Sequence, residues 1–443
     1  MRIVRGAAEA RTSVLRRAPI EEAELPAAVR ETIRRTFGAE LGVGEVVERI
    51  LADVRQKGDA AVRRYNQEID GVSRSPLEVP APDVQAALGE IDGALAGALR
   101  VAADEVRRFH KSQLNHVQSS FRRDGVGQQV RPLARVGMYV PGTAAVYPST
   151  VLMTAIPARV AGVEELVMCT PALPDGGVSP LKLAAAAIAG VDRVFVAGGA
   201  QAIAAMAFGT ETVPRVDKIC GPGNVFVTEA KRRVYGTVGL DGVFGPSETL
   251  VVADDEADPE LVAADLLAGA EHDALATAAL VCTSDDLAES VTAAIDAQLA
   301  EIDRRDVARA ALEARGGIAV VAGIDEALEL ANEFAPEHLC LHVREAESLL
   351  GRVRSAGAAF AGPASVESVG DFTAGPSHVM PTGGSARFAS PLGVQDFLKA
   401  TSVVALDDAA LRRLGPAAAA IARAEGFAGH ARAIERRLER GDR

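Results

Sequence analysis

The densest chemistry in the chain is the pair Glu337-His338, within Asn332-Glu333-Phe334-Ala335-Pro336-Glu337-His338. A carboxylate beside an imidazole supplies what proton abstraction needs, an acceptor and a group that titrates near neutral pH. Apolar periodicity at Ile324, Ala327, Leu328 and Ala331 reads as a helix, which ends approaching Pro336 because proline disfavours helical dihedrals in the residue before it. Leu339-Cys340-Leu341-His342-Val343 reads as a strand. The pair therefore sits on a helix-to-strand turn, where both side chains can converge on one site; inside a strand they would point to opposite faces. Taken alone, the same pair also reads as a surface glutamate next to a capping histidine.

Other candidate groups lie at helix ends and in loops. Gly370-Asp371-Phe372-Thr373-Ala374-Gly375-Pro376-Ser377-His378 places an acid and a histidine in a Gly/Pro loop, where chemistry is often carried. On one unbroken helix Glu425 and His430 would stand about 140° apart at ~100° per residue. Gly426 and Gly429 allow a break, so both can still face one site. With His272, these residues offer a mixed nitrogen and oxygen set that suits zinc and leaves room for water or substrate. Their spacing is not in itself a metal motif.

The elements that must position these groups alternate strand and helix. Strands are expected at 135–140, 166–169, 193–196 and 216–220, and again after Gly245-Pro246-Ser247 at 248–253, 277–282, 318–321, 339–343 and 358–361. Such alternation predicts parallel pairing and right-handed crossovers, with ligands at the carboxyl ends of the strands. The fold class is α/β: two similar, incomplete Rossmann-like α/β units with helical extensions at both ends. The expected division is a mostly helical region over 1–125, a first α/β unit over 126–245, a second over 246–380 and a C-terminal helical segment over 381–443. Gly221-Pro222-Gly223-Asn224-Val225-Phe226 imitates a dinucleotide fingerprint, but Phe226 replaces the third glycine and no acidic ribose partner is evident. Glycine before a helix serves equally as a tight turn.

At 443 residues, with 48% apolar and 4% aromatic residues and no Trp, the cores must be built from Ala, Val, Leu and Ile, as in parallel α/β sheets. A formal charge of −13 argues against broad nucleic-acid binding. From Leu411 to Arg443 the balance reverses locally, eight Arg against four acidic residues, which suits docking on another part of the protein or on a second subunit. Cys169, Cys220, Cys282 and Cys340 show no paired spacing and read as small core residues. Neither a signal peptide nor a membrane-length apolar run is present, so a cytoplasmic protein is expected. His110 and His116 read as solvated.

The strings Val136-Gly137-Met138-Tyr139-Val140-Pro141-Gly142, Ala197-Gly198-Gly199-Ala200-Gln201-Ala202-Ile203-Ala204, Gly221-Pro222-Gly223-Asn224, Gly245-Pro246-Ser247-Glu248, Ala270-Glu271-His272, Ala335-Pro336-Glu337-His338-Leu339, Gly370-Asp371 and His378-Val379-Met380-Pro381-Thr382 resemble the histidinol dehydrogenase family, in order from about Arg135 to His430. The resemblance implies a two-step, NAD-dependent oxidation of L-histidinol to L-histidine through an aldehyde. It also implies a homodimer, an intertwined one, whose active sites are completed by the partner's C-terminal segment. Carried onto this chain, Tyr139, Gln201 and Asn224 contact NAD, and His272, Asp371 and His430 hold zinc (Zn2+). Ser247, His378 and Glu425 contact substrate, as do His272, His338, Asp371 and His430. His338 is then the base for the hydroxyl proton and Glu337 the base that activates water.

Three residues depart from the family pattern. Gly269 stands where the family has a glutamine zinc ligand, Phe372 where it usually has Tyr, and Thr143 where it usually has a second glycine. Gly269 favours an alternative, a paralogous dehydrogenase of the same fold acting on another small amino alcohol or diol. Glu425, His430 and His378 oppose it.

Overall fold

Runs of Val, Ile, Leu, Ala and Cys separated by Ala-rich helices pair in parallel here, because each crossover helix covers the sheet it leaves. The computed structural model describes residues 1–443 apart from 18–24, 73, 143–144 and 442–443; Thr143 lies outside the described residues. In chain order the strands are β1 (Ile3–Arg5), β2 (Glu78–Val79), β3 (Phe121–Arg123), β4 (Val126–Pro132), β5 (Arg135–Tyr139), β6 (Glu165–Thr170), β7 (Arg193–Val196), β8 (Lys218–Cys220), β9 (Gly239–Leu240), β10 (Glu248–Ala253), β11 (Thr277–Cys282), β12 (Gly317–Val320), β13 (His338–His342), β14 (Ala358–Ala361) and β15 (Leu398–Val404).

Two six-stranded sheets result, ordered β2-β7-β6-β5-β8-β9 and β1-β12-β11-β10-β13-β14. Each grows outward from a central strand, β5 or β10, to one side and then crosses to the other, so the two sheets share one winding. All pairs are parallel except β2 against β7. The α/β expectation with two similar units is met, and helices cover both ends of the chain. The four cysteines are buried and free.

Several short elements differ from the sequence expectation. The N-terminal region lends an edge strand to each sheet, β1 and β2, of three and two residues. Pieces that short carry no readable periodicity. β15 lies within the C-terminal segment expected to be helical and pairs antiparallel with β4, which also pairs with β3. Its residues are half-buried or exposed on both faces, so no alternation marks it as a strand. His110 is buried, its Nδ1 2.8 Å from the Val106 carbonyl, and is not the solvated histidine expected. His116 is exposed.

The last two helices, Asp408–Ala424 and Ala428–Gly441, pack on each other around a break at Gly426, whose φ of +85° lies in the left-handed region. No helix among the described residues is long and apolar enough to cross a membrane.

Candidate active site

The helix Ile324–Phe334 ends on Ala335, held at a left-handed φ of +51°, and Pro336 follows. This strained turn delivers Glu337 immediately before β13 and His338 as its first residue. The two converge as expected: His338 Nδ1 lies 3.8 Å from Glu337 Oε2 and 3.7 Å from Glu367 Oε1, and Nε2 lies 3.2 Å from Asp371 Oδ1. The Phe360 ring stacks on the imidazole with centroids 5.9 Å apart. Glu337 Oε2 accepts from the Glu248 backbone N–H at 3.1 Å.

The turn is locked from the far end of the chain. Arg17 donates to both carboxylate oxygens of Glu248 at 2.6 and 2.8 Å and to the Ala335 carbonyl at 3.2 Å, with its guanidinium 3.8 Å over the Phe334 ring. Sequence reasoning missed Arg17, because nothing local marks a contact across so long a span.

The group sits at the amino ends of β10 and β13, where Thr249 pairs with His338. This is the amino edge of the second sheet, as the helix-to-strand turn before Leu339 implies. The short Pro336 turn is where the chain enters that sheet, and it carries the reactive pair itself.

The helix Glu367–Phe372 brings Glu367 and Asp371, one turn apart, onto a common face. With His272, just beyond the helix Pro259–Ala270, they present donor atoms all within 4.8 Å of one another. Nitrogen and carboxylate oxygen donors fit a divalent metal such as zinc. The buried, unpartnered Nδ1 of His338 beside them shows a polar group not yet satisfied by protein. Glu367 was not foreseen; the available signal was its i, i+4 spacing from Asp371.

Gly269 has a packing reason. A Cβ there would stand 2.2 Å from Thr249 Oγ1 and 2.7 Å from Thr249 Cβ, so helix and strand touch at this point. Thr249 Oγ1 instead donates to the Glu367 carboxylate, at 2.9 and 3.2 Å. Where the resemblance implies an amide ligand, this chain has a close backbone approach and a carboxylate held by a threonine. A glutamine at 269 would have to lift the helix from β10.

Burial alone would depress the His338 imidazole, but the carboxylates of Glu367, Glu337 and Asp371 override it and raise the ring well above the usual histidine range. Burial raises Glu337 to about 8 and Glu367 to about 7, each opposed by the charge of His338. Burial would also raise Asp371, yet its hydrogen bond and charge interaction with His338 hold it below the ordinary value. His272, exposed at the rim of the cluster, is lowered by desolvation from the groups around it more than the charge of Asp371 can offset.

His378 joins the two sheets. Its Nδ1 is 3.0 Å from the Asp371 carbonyl and its Nε2 3.2 Å from Thr150 Oγ1, on the helix Pro148–Ala161 that follows β5. The carboxyl edge of the first sheet thus meets the amino edge of the second. Ser247, half-buried, precedes β10. Glu425 and His430 are exposed on either side of the C-terminal break, and His430 lies against Phe427 with ring centroids 5.3 Å apart. The chain's own fold does not bring either residue into the group around His338.

At the carboxyl edge of the first sheet, the Tyr139 hydroxyl accepts from the Gly199 N–H at 3.0 Å. Gln201 Nε2 donates to Asn66 Oδ1 at 3.2 Å, while its buried Oε1 has no partner among the described residues. Asn224 caps the helix Val225–Val234, accepting from the N–H groups of Phe226 and Val227. Gly221 has φ +107°, and a Cβ there would fall 2.1 Å from the Tyr139 carbonyl oxygen. That glycine serves the close approach of loop to strand.

Two wound α/β sheets that meet at an imidazole-carboxylate cluster fit to hold a divalent metal define the class, an α/β enzyme with acid-base and metal-ligating groups where its two sheets join. The histidinol dehydrogenase family model matches residues 34–438. A histidinol dehydrogenase of Deinococcus radiodurans is 51% identical over 442 residues, covering 99% of this chain and 100% of that protein. One from Moorella thermoacetica is 50% identical over 417 residues, covering 93% of this chain and 98% of that protein. The crystal structure of histidinol dehydrogenase from Elizabethkingia anophelis superposes with a TM-score of 0.89 at 32% identity, covering 100% of this chain and 99% of that one. The chain belongs to the histidinol dehydrogenase family, and it is an NAD-dependent dehydrogenase.

Proposed function

We propose that the chain oxidises L-histidinol to L-histidine in two NAD-dependent steps through histidinal, as the last step of histidine biosynthesis in the cytoplasm. The observation that carries this reading is the convergence of two distinct proton acceptors, Glu337 and His338, beside the His272, Glu367 and Asp371 cluster. Zinc, held by His272 and Asp371 with His430 from a second copy of the chain, would fix the substrate through its nitrogens. Glu367 stands beside them as a further donor. NAD, held at Tyr139, Gln201 and Asn224, would accept the hydride in each step.

His338 Nε2 takes the hydroxyl proton once the carboxylates around it are satisfied by a cation. Glu337 then takes a proton from the water that adds to the aldehyde carbon. Its burial gives it more basicity than an ordinary carboxylate has, which suits proton removal from water. Ser247, His378 and, from the second copy, Glu425 hold the remaining polar groups of the substrate. Fixing the reacting carbon in this way replaces orientation entropy with bonds already made.

The test is NADH release with histidinol against a panel of other amino alcohols and diols. Histidinol is expected to be turned over at least a hundredfold more efficiently than any other. Preference for another alcohol would remove the assignment in favour of a paralogous activity on this fold.

A further inference from the structure

Two buried carboxylates stand near each other where the chain enters β10 and β13. Glu248 opens β10 and is 4% exposed, and Glu337, just before β13, is 6% exposed. The backbone N–H of Glu248 donates to Glu337 Oε2 at 3.1 Å, so a movement of the one shifts the other. Like charges placed this way repel strongly where water is excluded, and the charge of Glu248 adds to the burial that pushes Glu337 up. Glu337 has the His338 ring beside it at 3.8 Å. Glu248 has Arg17, which forks onto both its oxygens at 2.6 and 2.8 Å, and no other cation pairs with it among the described residues.

The guanidinium is itself held on three further sides. It donates to the Ala335 carbonyl at 3.2 Å and lies 3.8 Å over the Phe334 ring, and a Cβ on Gly384 would stand 2.7 Å from its Nη1. Arg11, on the same N-terminal arm, makes a similar fork onto Glu333 at 2.6 and 2.9 Å, but both of those side chains are close to half exposed. Both arginines therefore fasten the end of the helix Ile324–Phe334. Only Arg17 ends on a charge next to the reactive pair, which is more than fastening requires. His338 does not depend on it: the residue is tied into the β13 ladder opposite Thr249, its Nε2 lies 3.2 Å from Asp371 Oδ1, and its ring stacks on Phe360.

We propose that Arg17 is a positioning residue for the second oxidation: by neutralising Glu248 it keeps the Glu337 carboxylate on the Glu248 N–H, ready to accept from the water that adds to the aldehyde. Without the guanidinium, the carboxylate of Glu248 would stand uncompensated beside Glu337 in a dry turn, and Glu337 would either leave its hydrogen bond or take up a proton. Either outcome removes the acceptor that the water needs. The inference rests on reading Glu337 as the base of the aldehyde step.

The experiment measures, in single turnovers, the first NADH from histidinol and the NADH from supplied histidinal. The proteins are the parent, Arg17→Met, Arg17→Lys, Arg11→Met, Glu337→Gln and the double variant Arg17→Met with Glu248→Gln. Arg17→Met is expected to lose about 10–100-fold on histidinal and to stay within about threefold on histidinol. Arg11→Met should match the parent on both. The double variant separates a charge effect from lost packing: with both charges gone, the histidinal rate should return to within about fivefold of the parent's, because glutamine keeps the backbone N–H that Glu337 uses. Lost packing alone would leave the double variant no faster than Arg17→Met. Arg17→Lys keeps a cation but not the fork, so it should fall several-fold on histidinal only, and it carries the test if Arg17→Met does not fold. Equal loss on both substrates in the Arg17 variants, or a double variant that does not recover, overturns the proposal. If Glu337→Gln is impaired on histidinal while the Arg17 variants are not, the proposal alone falls. If Glu337→Gln is itself unimpaired on histidinal, the reading of Glu337 falls and the proposal with it.

Discussion

Glu337→Gln is expected to keep the oxidation of histidinol to the aldehyde and to lose ~10²–10⁴ in rate on supplied histidinal, whereas His338→Ala loses a comparable factor on the alcohol. The division follows from position. His338 projects from the first residue of β13 with Nε2 toward Asp371, on the side of the cluster fit to hold the substrate's metal. Glu337 is held by the Glu248 N–H on the other side of the ring. Glutamine keeps that hydrogen bond and the side-chain volume, so the loss it causes reports proton transfer and not collapse of the turn. The check is pre-steady-state NADH formation with each substrate offered separately. Equal loss of both half-reactions in both variants would contradict the assignment of two bases to two steps.

Mixing two inactive proteins should restore activity. In one chain Glu425 and His430 are exposed and far in sequence from the cluster they are proposed to complete, and the arm that carries them is Arg-rich against an acidic body. Leu414, Ile421 and Phe427 on the same arm are exposed apolar residues that a second copy would cover. If His430 crosses to the partner, a heterodimer of His430→Ala with His338→Ala has one site carrying both lesions and one carrying neither. In a random exchange half the dimers are of this kind, so activity should return to about one quarter of the parent's. The measurement is activity after subunit exchange verified by native mass spectrometry. No recovery in exchanged dimers would mean that each chain completes its own site.

Much of this arrangement is legible in the residues. The strands at 193–196, 248–253 and 277–282 match the sequence reading residue for residue, because they are apolar runs bounded by turn chemistry and largely buried on both faces, and the half-buried edge strand at 358–361 matches as well. The junction at Pro336 was legible for the same kind of reason, a backbone constraint that acts locally. What was not legible depends on partners distant in the chain. Arg17 reaches Glu248 and Ala335 across the molecule, and Glu367 looks like any polar helix residue until Thr249 and His338 are seen against it. Gly269 read as a missing ligand; its close approach to Thr249 shows only in three dimensions. The amino-edge location of the cluster departs from the general rule for parallel sheets, but the helix-to-strand turn before β13 already places Glu337 and His338 there.

The central claim is that one site carries histidinol through both oxidations, and it is tested most directly by product stoichiometry. With limiting histidinol and excess NAD, the account predicts two NADH formed and one histidine recovered for each histidinol consumed, with no aldehyde trapped by an added amine reagent. One NADH per histidinol with accumulating aldehyde would contradict it, as would an absence of turnover with histidinol.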